Sequence, residues 1–198
     1  FKRLNKISRY NLIFDNFFGN ILLAWNEAIQ GNEEKSFEFI QKIPRAFHHI
    51  KRTQNIFLKC QFNHQDTKVS FEELVNDNEY NFSRYNFFLI NYLLYEKRTK
   101  EAKKIIKSSR ENYNSNLLLK QTESFLINKK ENKIKNIFNC KNPRDSLAEF
   151  FYLISNLYAG ENEYKLSNFY LKLSLFLNKK FLFNKALLAE NYYFQKKY

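Results

Sequence analysis

The stretch that decides the fold runs from Ser146 to Asn178 and reads SLAEFFYLISNLYAGENEYKLSNFYLKLSLFLN. Apolar and aromatic residues recur every three or four positions on both sides of a polar interval at 160–163, a pattern typical of two amphipathic helices. Small residues such as Ser155 and Ser167 stand among the large ones, where two packed helices can cross closely. We therefore predict a hairpin of two antiparallel helices, over 146–159 and 164–177.

The same pattern extends along the chain with a period of about 34 residues. Tyr158 and Tyr164 are followed 34 residues later by Tyr192 and Tyr198. Small residues recur early in four of the second helices, at Ser36, Ser70, Ala102 and Ser167; the first two steps are 34 and 32 residues, and the last is 65, or nearly two repeats. A repeat of this length built from two helices is typical of a helical solenoid.

These residues resemble a tetratricopeptide repeat. Phe151, Ile154, Ser155 and Tyr158 fill the aromatic, large apolar, small and tyrosine positions of the family's first helix, and Lys179 replaces the proline that usually closes a repeat. The resemblance implies an all-α fold, a right-handed α-solenoid of antiparallel helix hairpins, in one repeat domain over 1–198. The predicted hairpins cover 17–43, 45–77, 83–112, 115–140 and 146–178, with a half-repeat at 181–198.

The composition excludes several other classes of protein. The chain has 198 residues and only three glycines, too few for the turns of a β-sandwich or for a Gly-rich phosphate loop. Two cysteines are too few for a disulfide framework or a Cys-based zinc site. An aromatic share of 18% is too high for a disordered chain.

The net charge of +13 has two interpretations. Lys, Asn, Ile, Phe and Tyr, which dominate the chain, have AT-rich codons, so the composition is typical of an AT-rich bacterial genome, with the lysines on solvated faces. The alternative is an electrostatic footprint for nucleic acid. The lysines of 100–107 lie opposite Ala102 on the outer side of a solenoid, whereas RNA-binding repeats read RNA with their first helices. Codon bias is therefore the favoured interpretation.

No residue pattern indicates catalysis, and we predict a chain that is not an enzyme, with no cofactor and no metal site. His48 and His49 are adjacent, so on a helix they point about 100° apart and do not share a metal. Carboxylate groupings such as Asp145 with Glu149 flank a helix start, where they complement the helix dipole. Asp145 is the predicted N-cap of the helix that starts at Ser146.

The resemblance implies a binding groove lined by the first helices. The corresponding positions combine amides, which suit a peptide backbone, with Arg and Lys side chains, which suit a carboxylate. The predicted partner-binding residues are Arg52, Asn55, Lys59, Arg84, Phe87, Asn91, Tyr95, Gln121, Asn128, Tyr152, Asn156 and Glu190. Trp25, Phe125, Glu149 and Tyr193 share the same repeat positions. Arg52, Asn55 and Lys59 followed by Arg84 and Asn91 loosely resemble the family's carboxylate clamp.

The function expected from the resemblance is a non-catalytic scaffold that binds a protein or peptide partner in its concave groove. The alternatives are a nucleic-acid-binding repeat and an accessory region of an enzyme whose catalytic domain lies outside this chain. The absence of methionine indicates an interior piece of a longer protein. No apolar run is long enough to span a membrane. A cytoplasmic location is favoured, and a periplasmic one stays open if a signal peptide preceded this piece.

Overall fold

A computed structural model describes the backbone of residues 2–77, 82–181 and 183–195, and within these ranges the side chains from residue 16 onward. These residues form eleven α-helices and one short 3-10 turn, with no strand in the same ranges, so the all-α class is confirmed. The helices are α1 (Lys2–Ile29), α2 (Glu33–Gln41), α3 (His48–Gln61), α4 (Thr67–Val75), α5 (Tyr85–Tyr95), α6 (Thr99–Asn112), α7 (Leu117–Ile127), α8 (Glu131–Ile137), α9 (Pro143–Gly160), α10 (Tyr164–Leu177) and α11 (Phe183–Phe194).

Contacts between Cα atoms divide the chain into two compact units, Phe1–His64 and Gln65–Tyr198, here the N-terminal and C-terminal units. The predicted hairpin at 45–77 contributes helices to both of them. The single repeat domain over 1–198 therefore stays a prediction.

The five described turns that end α1, α3, α5, α7 and α9 share one geometry. A single residue with positive φ stands in each: Gly31, Asn63, Lys97, Lys129 and Asn162, at intervals of 32, 34, 32 and 33 residues. The backbone N–H of the next residue bonds back to the helix in every case, as Arg98 does to the carbonyl of Leu93 at 2.8 Å and Glu163 to that of Tyr158 at 2.9 Å. This is the Schellman motif, which satisfies the last carbonyls of a helix and reverses the chain.

The N-terminal unit packs α1 against α2 and α3. Trp25 of α1 is fully buried, and its indole Nε1 donates to the side chain of Gln54 on α3 at 2.8 Å. Ser36, the small residue predicted at the helix crossing, is fully buried on α2. The helix that was expected to begin near residue 17 begins at residue 2 instead, and it continues through Gly19 despite the weak helix propensity of glycine.

The C-terminal unit is built around α5, which is buried on nearly all sides and contacts α4, α6, α7 and α8. The pair α9 and α10 makes the most extensive contact between helices. The helix predicted to start at Ser146 starts at Pro143, and its N-cap is Asn142, whose side chain accepts from the N–H of Arg144. Proline suits this first helical position because it has no N–H to leave unpaired. Asp145 is therefore not the cap.

The short helix α8 is held by side chains that bond to its last carbonyls. The amide of Asn91 donates to Ile134 at 3.0 Å, the hydroxyl of Tyr95 donates to Lys135 at 2.8 Å, and the amide of Asn178 donates to Ile137 at 2.8 Å. These bonds satisfy backbone carbonyls that a helix end leaves open. They fix α8 beside α5, where it forms one wall of the candidate site.

Candidate functional site

Two concavities in the C-terminal unit share Phe183 as a lining residue. The first, which we name the α7 cleft, has a volume of about 370 Å³ and lies between α7 and α8. Its lining residues are Gln121, Phe125, Lys133, Asn136, Ile137, Lys180 and Phe183. The second, the Arg84 cleft, has a volume of about 330 Å³ and is lined by Arg84, Asn116, Leu117, Leu118, Tyr152 and Phe183.

The α7 cleft combines apolar rings with amide and ammonium groups. Phe125, Ile137 and Phe183 supply apolar surface, and the ammonium of Lys133 lies 5.7 Å from the centre of the Phe125 ring. Gln121 and Asn136 bring amide donors and acceptors to the same cleft. Such a surface can desolvate an apolar side chain and bond to the polypeptide backbone beside it.

Helix α7 positions this lining through a well-formed N-terminus. The side chain of Asn116 accepts from the backbone N–H groups of Leu118 and Leu119, at 3.1 and 3.2 Å. Asparagine is among the preferred N-cap residues because its oxygen reaches these unpaired groups. Gln121 and Phe125 are four residues apart on this helix, so their side chains lie on the same face, the one that lines the α7 cleft.

The Arg84 cleft has a buried ion pair in its wall. Arg84 donates to both carboxylate oxygens of Glu149, each at 2.7 Å, and the Glu149 side chain is 1% exposed. The guanidinium also lies 3.9 Å from the centre of the Tyr152 ring and 4.6 Å from that of Phe181. Stacking and a two-bond ion pair together hold the arginine in one position.

Two opposing effects act on the pKa values of this pair: burial disfavours the charged forms, and the attraction between the two charges favours them. Burial raises the pKa of the Glu149 carboxyl, and the guanidinium of Arg84 acts against that rise. Although burial alone would lower it, the pKa of Arg84 is raised by the carboxylate of Glu149. We take the pair as ionised at neutral pH because both carboxylate oxygens accept a bond from the guanidinium.

Three of the predicted binding residues, Arg84, Gln121 and Tyr152, line these clefts. Phe125, at an equivalent repeat position, joins them. Phe87 and Asn91 were expected on the open groove but are fully buried, because α5 lies inside the unit and Asn91 bonds to α8. Tyr95 is half-buried, with its hydroxyl also bonded to α8. A partner cannot reach Phe87 or Asn91 in this arrangement.

The remaining predicted residues lie outside the two clefts. Arg52, Asn55 and Lys59 are half-buried on α3 in the N-terminal unit, so a clamp that joins them to Arg84 stays a prediction. Asn128 and Asn156 are exposed, and each amide donates to the carbonyl four residues earlier, on Ser124 and Tyr152. Glu190 is exposed on α11.

Several lining residues of the α7 cleft were not predicted. Lys133, Asn136 and Ile137 belong to α8, a second helix, and the family's pattern places binding residues on first helices only. Lys180 and Phe183 flank the turn into α11. The signal that could have found them is the short length of α8, which leaves part of α7 uncovered.

The described ranges contain no group of three His, Cys, Asp or Glu side chains able to hold a metal ion. The helices described have no apolar run that is long enough to cross a lipid bilayer. Comparison of the chain with protein-family models, with curated proteins and with solved structures finds no match.

Proposed function

We propose that this chain is a non-catalytic interaction scaffold that binds an extended segment of a protein partner, with the α7 cleft as the main binding site. The observation that carries the proposal is that the α7 cleft brings apolar rings together with amide and ammonium groups, and that Phe183 lines the Arg84 cleft as well. A partner segment can lie along α7 with one apolar side chain against Phe125 and Phe183. The groups that bond to its backbone are Gln121 and Asn136.

We also propose that the helices follow a tetratricopeptide-like, right-handed solenoid. The even spacing of the five Schellman turns supports this arrangement, since each turn closes a first helix at intervals of 32 to 34 residues. The small residues Ser36, Ala102 and Ser167 support it as well, because each is fully buried five residues after the positive-φ residue. Close helix crossings need small side chains at such positions.

The proposal is tested by selecting ligands from a displayed library of random peptides and measuring their affinity by fluorescence anisotropy. Gln121→Trp fills the α7 cleft, so we expect it to weaken binding of the selected peptides at least about tenfold, a loss of about 1.4 kcal/mol. Lys120→Trp is the matched control, because Lys120 is exposed on the same helix and lies outside the cleft. Equal binding by the parent and the Gln121→Trp variant would remove the cleft from the proposal.

A second candidate, nucleic-acid binding, is favoured only by the net charge of +13. Such binding weakens steeply with salt, because phosphate contacts release condensed counterions. A filter-binding assay with single-stranded RNA at low salt separates the two candidates. Retention of RNA that falls by about 1000-fold between 50 and 200 mM salt would favour this second function over the scaffold.

A further inference from the structure

An apolar stripe on α10 faces solvent. Leu166, Phe169 and Phe176 are 44%, 55% and 68% exposed, although the opposite side of the same helix packs on α9 and α11. Their spacing of three and seven residues places them on one side of the helix, and the two phenylalanines stand about 10 Å apart along its axis. Exposed large side chains in such a row are unusual on a surface that meets only water.

Lysines accompany this stripe. Lys165 and Lys172 are exposed at the same seven-residue spacing, and Lys172, Lys179 and Lys185 share one concavity with Phe176. We name the set of Leu166, Phe169, Phe176 and these four lysines the α10 outer face. It shares no residue with the α7 cleft.

The α10 outer face has an excess of positive charge, and the carboxylates nearest to it in the sequence are those of Glu161, Glu163 and Glu190 at its two ends. The sequence from residue 164 to residue 189 contains five lysines and no Asp or Glu. In the part of the chain that the structure describes, no carboxylate forms an ion pair with Lys165, Lys172 or Lys179. The face is therefore apolar and positively charged at once.

We propose that the α10 outer face docks the protein on the surface of an anionic lipid bilayer. The two phenylalanines are exposed on α10 and can enter the boundary between headgroups and acyl chains, which adapts to their shape. The lysines beside them reach the negatively charged headgroups while their stems stay against apolar surface. This docking is peripheral and goes beyond the binding of a partner in the α7 cleft.

Other occupants fit this face less well. A second copy of the chain would bring its lysines against these lysines, and like charges in contact repel. A single-stranded nucleic acid would stack its bases on aromatic rings, but Leu166 offers no ring and the face has no arginine. A bilayer accepts both aliphatic and aromatic side chains.

The test is sedimentation of the full chain with vesicles. Vesicles of phosphatidylcholine and phosphatidylserine, about three to one, are compared with vesicles of phosphatidylcholine alone. We expect the protein to pellet with the anionic vesicles and to remain in the supernatant with the neutral ones. Each lysine near an anionic surface contributes about a fivefold gain in partitioning, so Lys165→Gln/Lys172→Gln/Lys179→Gln should lower it by at least about tenfold.

Matched variants distinguish binding through the α10 outer face from binding that depends only on net charge or on nonspecific adsorption of exposed apolar residues. Lys103→Gln/Lys104→Gln/Lys107→Gln removes the same charge from the exposed side of α6 and should leave most of the partitioning intact. Phe169→Ser/Phe176→Ser should abolish pelleting, whereas Ile127→Ser/Leu157→Ser, which alters two other exposed residues, should not. Circular dichroism of each variant checks that the helices are retained.

Four outcomes would overturn the proposal: no pelleting with anionic vesicles, equal pelleting with neutral ones, an equal loss in the α6 lysine variant, or no loss in the phenylalanine variant. Two results together would assign the face to nucleic acid instead. Single-stranded RNA, added at the same total negative charge as the vesicles, would displace the protein from them, and the phenylalanine variant would no longer bind that RNA. Peptide binding by the α7 cleft is measured independently, so its failure leaves this result unchanged.

Discussion

Arg84 and Glu149 show what a single buried pair does in this chain. Both carboxylate oxygens accept a bond at 2.7 Å from a guanidinium that is also stacked on Tyr152. We expect Arg84→Met to lower the free energy of unfolding by about 3–5 kcal/mol, because it leaves the carboxylate of Glu149 buried without a partner. Urea unfolding followed by circular dichroism measures the change.

The double variant Arg84→Met/Glu149→Leu provides the contrast. It removes both charges and fills the site with apolar atoms, so it should recover most of the stability that Arg84→Met loses. Arg98→Met is the exposed control, since the Arg98–Glu101 pair lies at the surface and should have little effect. A double variant as unstable as Arg84→Met would show that packing of the arginine, rather than the unpaired carboxylate, determines the loss.

Asp145 gives the chain a pH-dependent contribution to stability. Burial raises the pKa of this carboxyl from 3.8 to about 6, even though the backbone N–H of Asn139 donates to it at 2.9 Å. Because the folded pKa lies above the unfolded one, the stability that this group contributes is fully present below pH 3.8 and is lost as the pH rises through about 6.

Asp145→Asn keeps an acceptor for Asn139 and cannot ionise. We expect the melting temperature of the parent, relative to that of this variant, to fall between about pH 4 and pH 7. Thermal scans of both proteins across this interval measure the difference. A difference that is constant with pH, or that grows in favour of the parent, would contradict the raised pKa.

At the scale of helices, the sequence predicted the all-α class and the positions of most helices. Periodicity located the second helix of the hairpin at 146–178 at residues 164–177, where α10 lies, and the turn that ends α1 has a glycine, Gly31, at its positive-φ position. The other four turns were not recognised as Schellman motifs, because Asn63, Lys97, Lys129 and Asn162 are not glycines. Their shared geometry is visible only in the backbone dihedral angles.

The binding residues were harder to predict than the helices. Repeat position alone assigned Asn91 and Tyr95 to an open groove, but both bond to carbonyls of α8. A seven-residue helix leaves more than half of its carbonyls without partners inside the helix, and polar side chains on α5 turn toward them. Sequence spacing could not show this, because it depends on which helix lies next to α5.

Because Lys97 has a positive φ, we predict that glycine at this position makes the folded chain more stable. A non-glycine residue in the left-handed region costs about 1 kcal/mol, and glycine adopts it without that cost. We expect Lys97→Gly to raise the free energy of unfolding by up to about 1 kcal/mol, partly offset by the greater freedom of glycine in the unfolded chain. Chemical denaturation measures the gain.

The same substitution within a helix should have the opposite sign. Lys104→Gly lies in the exposed interior of α6 and should lower the free energy of unfolding by about 1 kcal/mol. The comparison cancels the effect of losing one positive charge. Destabilisation by both substitutions would contradict the assigned turn geometry.

At the scale of the whole molecule, the charge of +13 opposes the compact state. The described lysines on α6 and α10 are largely exposed, so their mutual repulsion acts through water and is screened by salt. The surface ion pairs, such as Lys42–Glu38 and Lys141–Glu96, are weakened by the same screening. The net effect of added salt should therefore follow the excess positive charge.

We expect the full chain to melt at a higher temperature in about 0.15 M sodium chloride than in about 0.01 M, as the screening length falls from about 30 to about 8 Å. A gain of about 1 kcal/mol corresponds to a rise of about 2–4 °C for a chain of this size. Differential scanning calorimetry measures the shift. The variant Lys103→Gln/Lys104→Gln/Lys107→Gln is the control: it has three fewer positive charges, so its melting temperature should rise less with salt. A fall in melting temperature for the parent would mean that specific ion pairs outweigh the net repulsion.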